Sequence, residues 1–94
     1  MKSIIQNNRC CYVCGTEQDI HEHHIFYGTA NRKLSEKYGL KVYLCGRHHN
    51  MSNEGVHFDK RLDQHIKYIG QQAFQEHYPE LDFRKTFGRN YIWE

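Results

Sequence analysis

The stretch CYVCGTEQDIHEHHIF, residues 11–26, places a Cys-x-x-Cys pair ahead of the segment IHEHHIF, which contains three histidines and a glutamate. Two cysteines at this spacing on a tight turn can face one metal ion, and zinc takes four such ligands in a tetrahedron. A matching pair follows at Cys45 and His48. The pattern predicts a structural zinc site formed by Cys11, Cys14, Cys45 and His48.

Neighbouring residues offer alternatives for two of these ligands. Cys10 could replace Cys11, although its spacing from Cys14 is looser than the two-residue gap common in zinc knuckles. His49 could replace His48, although the matching gap favours His48. Two disulfides are a further alternative, which a reducing cytoplasm disfavours. The zinc assignment leaves Cys10 as a free thiol.

Length and composition limit the class of protein. The 94 residues make one small domain, and we expect a motif core at 11–58 and a helical part at 56–94. A mean hydropathy of −0.90 predicts a thin core, of the kind that small domains supplement with a metal. The sequence contains neither an apolar run of about 18 residues nor a signal-peptide pattern, so the expected location is the cytoplasm, with no membrane partner.

The first half of the chain predicts two strands around a helix. Apolar and β-branched residues indicate strands at 20–26 and 40–45, and the spacing of Leu34 and Tyr38 favours a helix at 30–39. A turn or short helix at 46–55 would carry further histidines. These elements place the metal ligands at the centre of a small α+β domain.

The second half of the chain predicts helices. Apolar residues recur at helical spacing from about Val56 to Tyr78, with Phe58 on the apolar face, and Pro79 ends the pattern. A short final helix should begin after Asp82 and end near Gly88.

Positive charge is concentrated between the two cysteine-containing pairs. The net charge is only +2, but five cations lie within residues 32–47, where Glu36 is the one acidic residue. These cations could contact nucleic-acid phosphates, and an ordinary solvated face is the alternative. The five residues are Arg32, Lys33, Lys37, Lys41 and Arg47.

A second group of histidines is expected close to the zinc. Zinc would pin the start of the first strand to the end of the second. His49 would then lie near the strand that carries His23 and His24.

These features together resemble the HNH endonucleases, also called the ββα-metal or His-Me finger family. The likeness spans about Cys11 to Asn50 and rests on HHI between two knuckles, the second followed directly by His49. The extended pattern HHIFYG…SEKYGLKVYLCGRHHN…GVH is similar to small phage-type HNH proteins, including the recombination-enhancement, RecA-dependent nucleases. The resemblance implies a zinc-stapled ββα-metal core, a short β-hairpin plus helix, with added C-terminal helices. It also implies phage or prophage origin in a bacterial host.

The resemblance also implies roles for individual residues. His23 and His49 would bind a catalytic divalent metal, Mg²⁺, Mn²⁺ or another divalent ion, and His24 would be the general base. A cation stabilises charge on the leaving oxygen of a phosphodiester, and an imidazole can accept a proton from water at neutral pH. His57 is a further candidate metal ligand or phosphate contact, since it is expected where the long helix starts and anions bind.

Two points depart from a simple match to the family. Its middle Asn has no counterpart in GLKVYL, so a backbone carbonyl, Asn50 or Asn53 would have to orient His24. Adjacent strand residues also point to opposite faces, so His23 and His24 share a site only if the strand ends or twists there. His21 and Glu22 are expected to be surface bystanders.

The resemblance therefore implies a metal-dependent endonuclease that cuts or nicks double-stranded DNA with low sequence specificity, leaving 5′-phosphate and 3′-hydroxyl ends. A recruiting protein partner or a homodimer would supply the targeting that so small a chain lacks. The alternative is a non-catalytic, zinc-ribbon-like module that binds nucleic acid or protein and needs only the zinc site.

Overall fold

A computed structural model describes residues 1–52 and 55–92. Within these residues the fold is α+β, as predicted, with one two-stranded antiparallel sheet and four helices. The elements are β1 (Ile20–His24), α1 (Thr29–Tyr38), β2 (Lys41–Cys45), α2 (Gly46–His49), α3 (Lys60–His77) and α4 (Phe83–Phe87). No helix in the described part of the chain combines the length and hydrophobicity needed to cross a bilayer.

The two strands pair so that Ile20 lies opposite Cys45 and His24 lies opposite Lys41. The predicted first strand extended to Phe26, but β1 ends at His24. The N–H of Ile25 still donates to the carbonyl of Leu40. Helix α1 then takes the backbone groups of Phe26, because the hydroxyl of Ser35 accepts from the N–H of Phe26 and donates to its carbonyl. The chain therefore leaves its β2 partner after Ile25.

The predicted long helix is present as α3, but it begins at Lys60, so the predicted start at Val56 was wrong. The side chain of Asp59 accepts hydrogen bonds from the N–H groups of Arg61 and Leu62, which makes Asp59 the N-cap. Phe58, which matched the helical spacing, is 62% exposed and lies outside the helix. The short helix α4 is capped by Asp82 and Gly88, as predicted.

An aromatic core holds α3 and α4 against the segment that follows β1. Phe26 lies at its centre, with ring centroids 5.0 Å from Phe83 and 4.9 Å from Phe87. Helix α3 approaches closely at Gly70, where a Cβ atom would lie only 3.0 Å from a methyl carbon of Ile25. The C-terminal segment packs on the same core through Tyr91, 5.2 Å from Phe26. This packing fixes the position of the chain just after His24.

Candidate metal centres

The first metal-ligand cluster joins the chain ahead of β1 to the end of β2. Cys11, Cys14, Cys45 and His48 each offer a ligand atom, and these atoms lie within 4.8 Å of one another. Individual separations are 3.3 Å from Cys45 Sγ to His48 Nδ1 and 3.8 Å from Cys14 Sγ to Cys45 Sγ. Bond lengths of about 2.1–2.3 Å to zinc would put tetrahedral ligands about 3.4–3.8 Å apart. The four residues can therefore hold one metal ion, and they are the four that the spacing predicted.

The alternatives for this cluster are resolved by position. Cys10 is a free, half-buried cysteine outside the cluster, and His49 belongs to the second cluster. Burial opposes ionisation of the Cys11 thiol, but backbone hydrogen bonds at Cys45, Cys14 and Val13 outweigh it and hold its pKa at about 6. A thiol that ionises near neutral pH suits a metal ligand.

The second cluster consists of three histidines, His23, His49 and His57, here called the histidine triad. Their ring centroids are 4.9–5.3 Å apart. His23 comes from β1 and His49 from the end of α2, and His57 lies in the turn before α3 rather than at the start of the helix. The N–H of His57 donates to the carbonyl of His49, and Gly55 allows this approach because a Cβ there would lie 2.7 Å from the same carbonyl oxygen.

The buried member of the triad, His23, has a ring nitrogen that is suited to bind a metal ion. His23 is only 3% exposed, and its Nε2 has no hydrogen-bond partner among the described residues. Burial and the neighbouring His49 and His57 lower its pKa to about 3. Burial and His57 likewise lower the pKa of His49 to about 4. An unpaired buried nitrogen is costly, and a cation at this point would satisfy it.

His24, unlike His23, has a hydrogen-bond partner for its Nε2 in the described part of the chain. Its Nε2 lies 2.9 Å from Oε1 of Glu36 in α1. The ammonium of Met1, His24 and Lys41 all hydrogen-bond to Glu36 and lower its pKa to about 2, so the carboxylate is ionised. Glu36 is therefore the group that orients His24. Sequence reasoning missed it, because it expected Asn50, Asn53 or a carbonyl; Asn50 lies at the end of α2, and Asn53 is outside the described residues.

His23 and His24 nevertheless open onto one cleft, here called the triad cleft. Its volume is about 220 Å³. It is lined by Glu22, His23, His24, Tyr27, Arg32, His49 and His57. The two adjacent histidines can both reach it because β1 ends at His24.

His21, which was expected to be a surface bystander, contacts His49 of the triad. Its Nδ1 lies 2.9 Å from Nδ1 of His49, and its Nε2 lies 3.2 Å from Oδ1 of Asp19. Asp19 itself has a left-handed backbone (φ 53°), a conformation that Asp tolerates better than most residues. The alternation of residues along β1, which puts His21 and His23 on one face, was the available signal for this contact.

The predicted basic residues separate into two groups. Arg32 lines the triad cleft, and Lys33, Lys37 and Arg47 are exposed. Lys41 is 5% exposed and pairs with Glu22 at 3.0 Å and Glu36 at 3.1 Å. The structure therefore does not leave Lys41 on the surface where it was expected to contact phosphates, and Glu22 is its ion-pair partner.

Comparisons with protein-family models, with curated proteins and with solved structures gave no match for this chain. The functional interpretation therefore rests on the residues and their geometry.

Proposed function

We propose that this protein is a metal-dependent endonuclease of the HNH type that hydrolyses phosphodiester bonds in DNA. The observation that carries the proposal is the shared triad cleft: three histidines able to hold a divalent cation lie beside a fourth, His24, that is hydrogen-bonded to a carboxylate. A binding module that needs only the cysteine-containing cluster has no use for this second set.

His24 would act as the general base. When its Nε2–H donates to Glu36, the lone pair on Nδ1 is available to accept a proton from water. The water oxygen forms a bond to phosphorus, and the bond from phosphorus to the 3′ oxygen breaks. The ionised Glu36 stabilises the imidazolium that results, while Lys41 holds Glu36 in place.

The histidine triad would hold a divalent cation, which supplies a Lewis acid for the leaving 3′ oxygen. Three imidazole nitrogens suit a transition-metal ion such as Mn²⁺ better than Mg²⁺, which prefers oxygen ligands. His23, His49 and His57 contribute neutral imidazoles, so the site adds no negative charge to repel the phosphate. Arg32, in the same cleft, is placed to contact a phosphate oxygen.

The first cluster would hold a structural zinc ion. Its ligand set, three cysteines and one histidine, is of the closed four-coordinate type that leaves no position for substrate. Zinc at the end of the strand pair where Ile20 faces Cys45 would hold the start of β1 against the end of β2 and keep His49 close to His23.

Nicking of supercoiled plasmid tests the proposal. Zinc-loaded wild type should nick in the presence of Mg²⁺ or Mn²⁺, and His24→Ala should reduce the rate by about 10²–10⁴-fold without changing zinc content. His65→Ala, which removes an exposed histidine from α3, is the matched control and should cleave like wild type.

The outcomes separate the two parts of the proposal. If the wild-type protein fails to cleave plasmid with every divalent metal that is added, the nuclease proposal is refuted and the zinc-ribbon-like binding module is favoured. Undiminished cleavage by His24→Ala would refute only the assignment of the base.

A further inference from the structure

A second cleft lies directly beside the triad cleft. Its volume is about 390 Å³, and we call it the tyrosine cleft because Tyr27 and Tyr91 both line it. Tyr27 and His57 belong to the walls of both clefts, so the two clefts adjoin. Neither the sequence motif nor the proposed catalytic residues account for this second cleft.

Positive charge predominates in the tyrosine cleft. Lys60, Lys67 and Arg89 line it, and Asp63 is the carboxylate in its wall. Asp63 is already engaged, since it pairs with Lys67 at 2.9 Å and accepts a hydrogen bond from the hydroxyl of Tyr27 at 3.1 Å. Within residues 1–52 and 55–92, neither Lys60 nor Arg89 has a carboxylate partner at ion-pair distance. Among the described residues, no carboxylate neutralises Lys60 or Arg89, and both can bind an anion.

The tyrosines that line the cleft are held in place by contacts with neighbouring side chains, and Tyr27 is accessible to solvent. Tyr27 is 40% exposed. Its ring is fixed by its hydrogen bond to Asp63 and by Lys67, whose Nζ lies 4.4 Å from the ring centroid. Lys67 also contacts the ring of Tyr91, which in turn is covered by Arg89 at 5.3 Å. Exposed aromatic rings among cations are the usual means by which proteins bind unpaired bases and their phosphates.

We propose that the tyrosine cleft binds an unpaired nucleotide that adjoins the phosphate to be cut, with its phosphate at Lys60 and Arg89 and its base against Tyr27. The inference rests on the proposed function only in placing the cut phosphate in the triad cleft. A paired base in an intact duplex reaches such a cleft only after it is unstacked, which costs free energy. Single-stranded DNA is therefore expected to bind more tightly than a duplex of the same length.

Fluorescence anisotropy of a short fluorescein-labelled oligothymidylate tests this. The protein is zinc-loaded and no Mg²⁺ or Mn²⁺ is added, so binding is read without cleavage. Lys60→Ala and Arg89→Ala should each weaken binding and flatten the slope of log affinity against log salt by about 0.7, the value of one lost contact to a single strand. Lys85→Ala is the matched control, because Lys85 is an exposed cation on α4 that lines neither cleft.

Variants of Tyr27 test the aromatic contact. Tyr27→Leu should lower affinity for the single strand by about tenfold, whereas Tyr27→Phe keeps the ring and should bind nearly as wild type. The same oligonucleotide annealed to its complement should bind more weakly than the single strand.

Three results would each overturn the proposal: wild-type affinity in both Lys60→Ala and Arg89→Ala, equal weakening by Lys85→Ala, or duplex binding as tight as that of the single strand. These readouts are independent of plasmid nicking. A protein that shows the expected binding but does not cleave would leave the tyrosine cleft intact and refute the nuclease alone.

Discussion

The contact between His21 and His49 predicts that a residue outside the histidine triad controls its metal affinity. The carboxylate of Asp19 accepts from Nε2 of His21, which leaves Nδ1 of His21 as an acceptor for Nδ1–H of His49. His49 then presents the lone pair of Nε2, the atom that lies 3.2 Å from Nε2 of His57. The hydrogen-bond chain therefore selects the tautomer of His49 that can bind a cation inside the triad.

The magnitude follows from the hydrogen bond that His21→Ala removes. One such bond contributes about 0.5–1.5 kcal/mol net, and about 1.4 kcal/mol corresponds to a factor of ten in affinity. Partners that orient a metal-bound histidine are worth about 10–100-fold. Because the side chain of His21 is 30% exposed, water can partly replace it, so we expect the lower end, a loss of about tenfold.

Isothermal titration of zinc-loaded protein with Mn²⁺ measures this loss. His21→Gln can still accept from His49 and donate to Asp19, so it should recover part of the affinity, and His65→Ala should match wild type. Nitrogen-15 NMR of the metal-free triad should show His49 protonated at Nδ1. Unchanged Mn²⁺ affinity in His21→Ala, or a proton on Nε2 of His49, would refute the reasoning.

Three further outcomes concern stability. Binding of a structural zinc ion contributes on the order of 10 kcal/mol, similar to the whole stability of a small domain. Cys14→Ser should therefore abolish the cooperative thermal unfolding transition measured by circular dichroism. A retained transition would contradict a structural role for the first cluster. Burial and nearby histidines lower the pKa of His23 to about 3 in the folded chain, against about 6.5 unfolded, so the unfolded state binds more protons between these values. The contribution of neutral His23 to the free energy of unfolding is therefore complete above about pH 6.5. It is lost as the pH falls toward 3, by up to about 1.4 kcal/mol per pH unit. The free energy of unfolding, measured with urea on zinc-loaded protein at several pH values from 5 to 6.5, should therefore change less with pH in His23→Gln than in wild type. An equal pH dependence in the two proteins would count against the lowered pKa of His23. Ser35→Ala should cost about 2–3 kcal/mol in urea unfolding because it leaves the buried N–H and carbonyl of Phe26 without their partner. Ser52→Ala removes a hydroxyl whose bond to the carbonyl of Arg47 is exposed, and it should cost much less; equal effects would show that burial is not the cause.

The order of elements could be predicted from the sequence because each has a local signal. The two-residue gaps identified Cys11 and His48 over their neighbours Cys10 and His49. The α3 boundary was misplaced because Phe58 matches helical spacing by coincidence. A cap at Asp59, three residues before a hydrophobic position, is an equally local signal that was overlooked.

The partners of the histidines could not be predicted in the same way. Glu36 reaches His24 only because α1 returns across the end of β1, and that depends on Ser35 holding the backbone of Phe26. Lys41 looked like an exposed cation by charge pattern alone. Its burial follows from its place opposite His24 in the strand register, between two carboxylates. Such contacts depend on tertiary positions that periodicity does not encode.

The adjacency of His48 and His49 has a consequence for the life of a newly made chain. His48 belongs to the first cluster and His49 to the second, so the backbone that closes one also positions the other. Under the proposed assignment, zinc must be acquired before the triad can take up its own cation, however abundant magnesium or manganese is. If the proposed function is correct, a cell short of zinc would accumulate inactive protein, and the supply of that one metal would set when the nuclease becomes active.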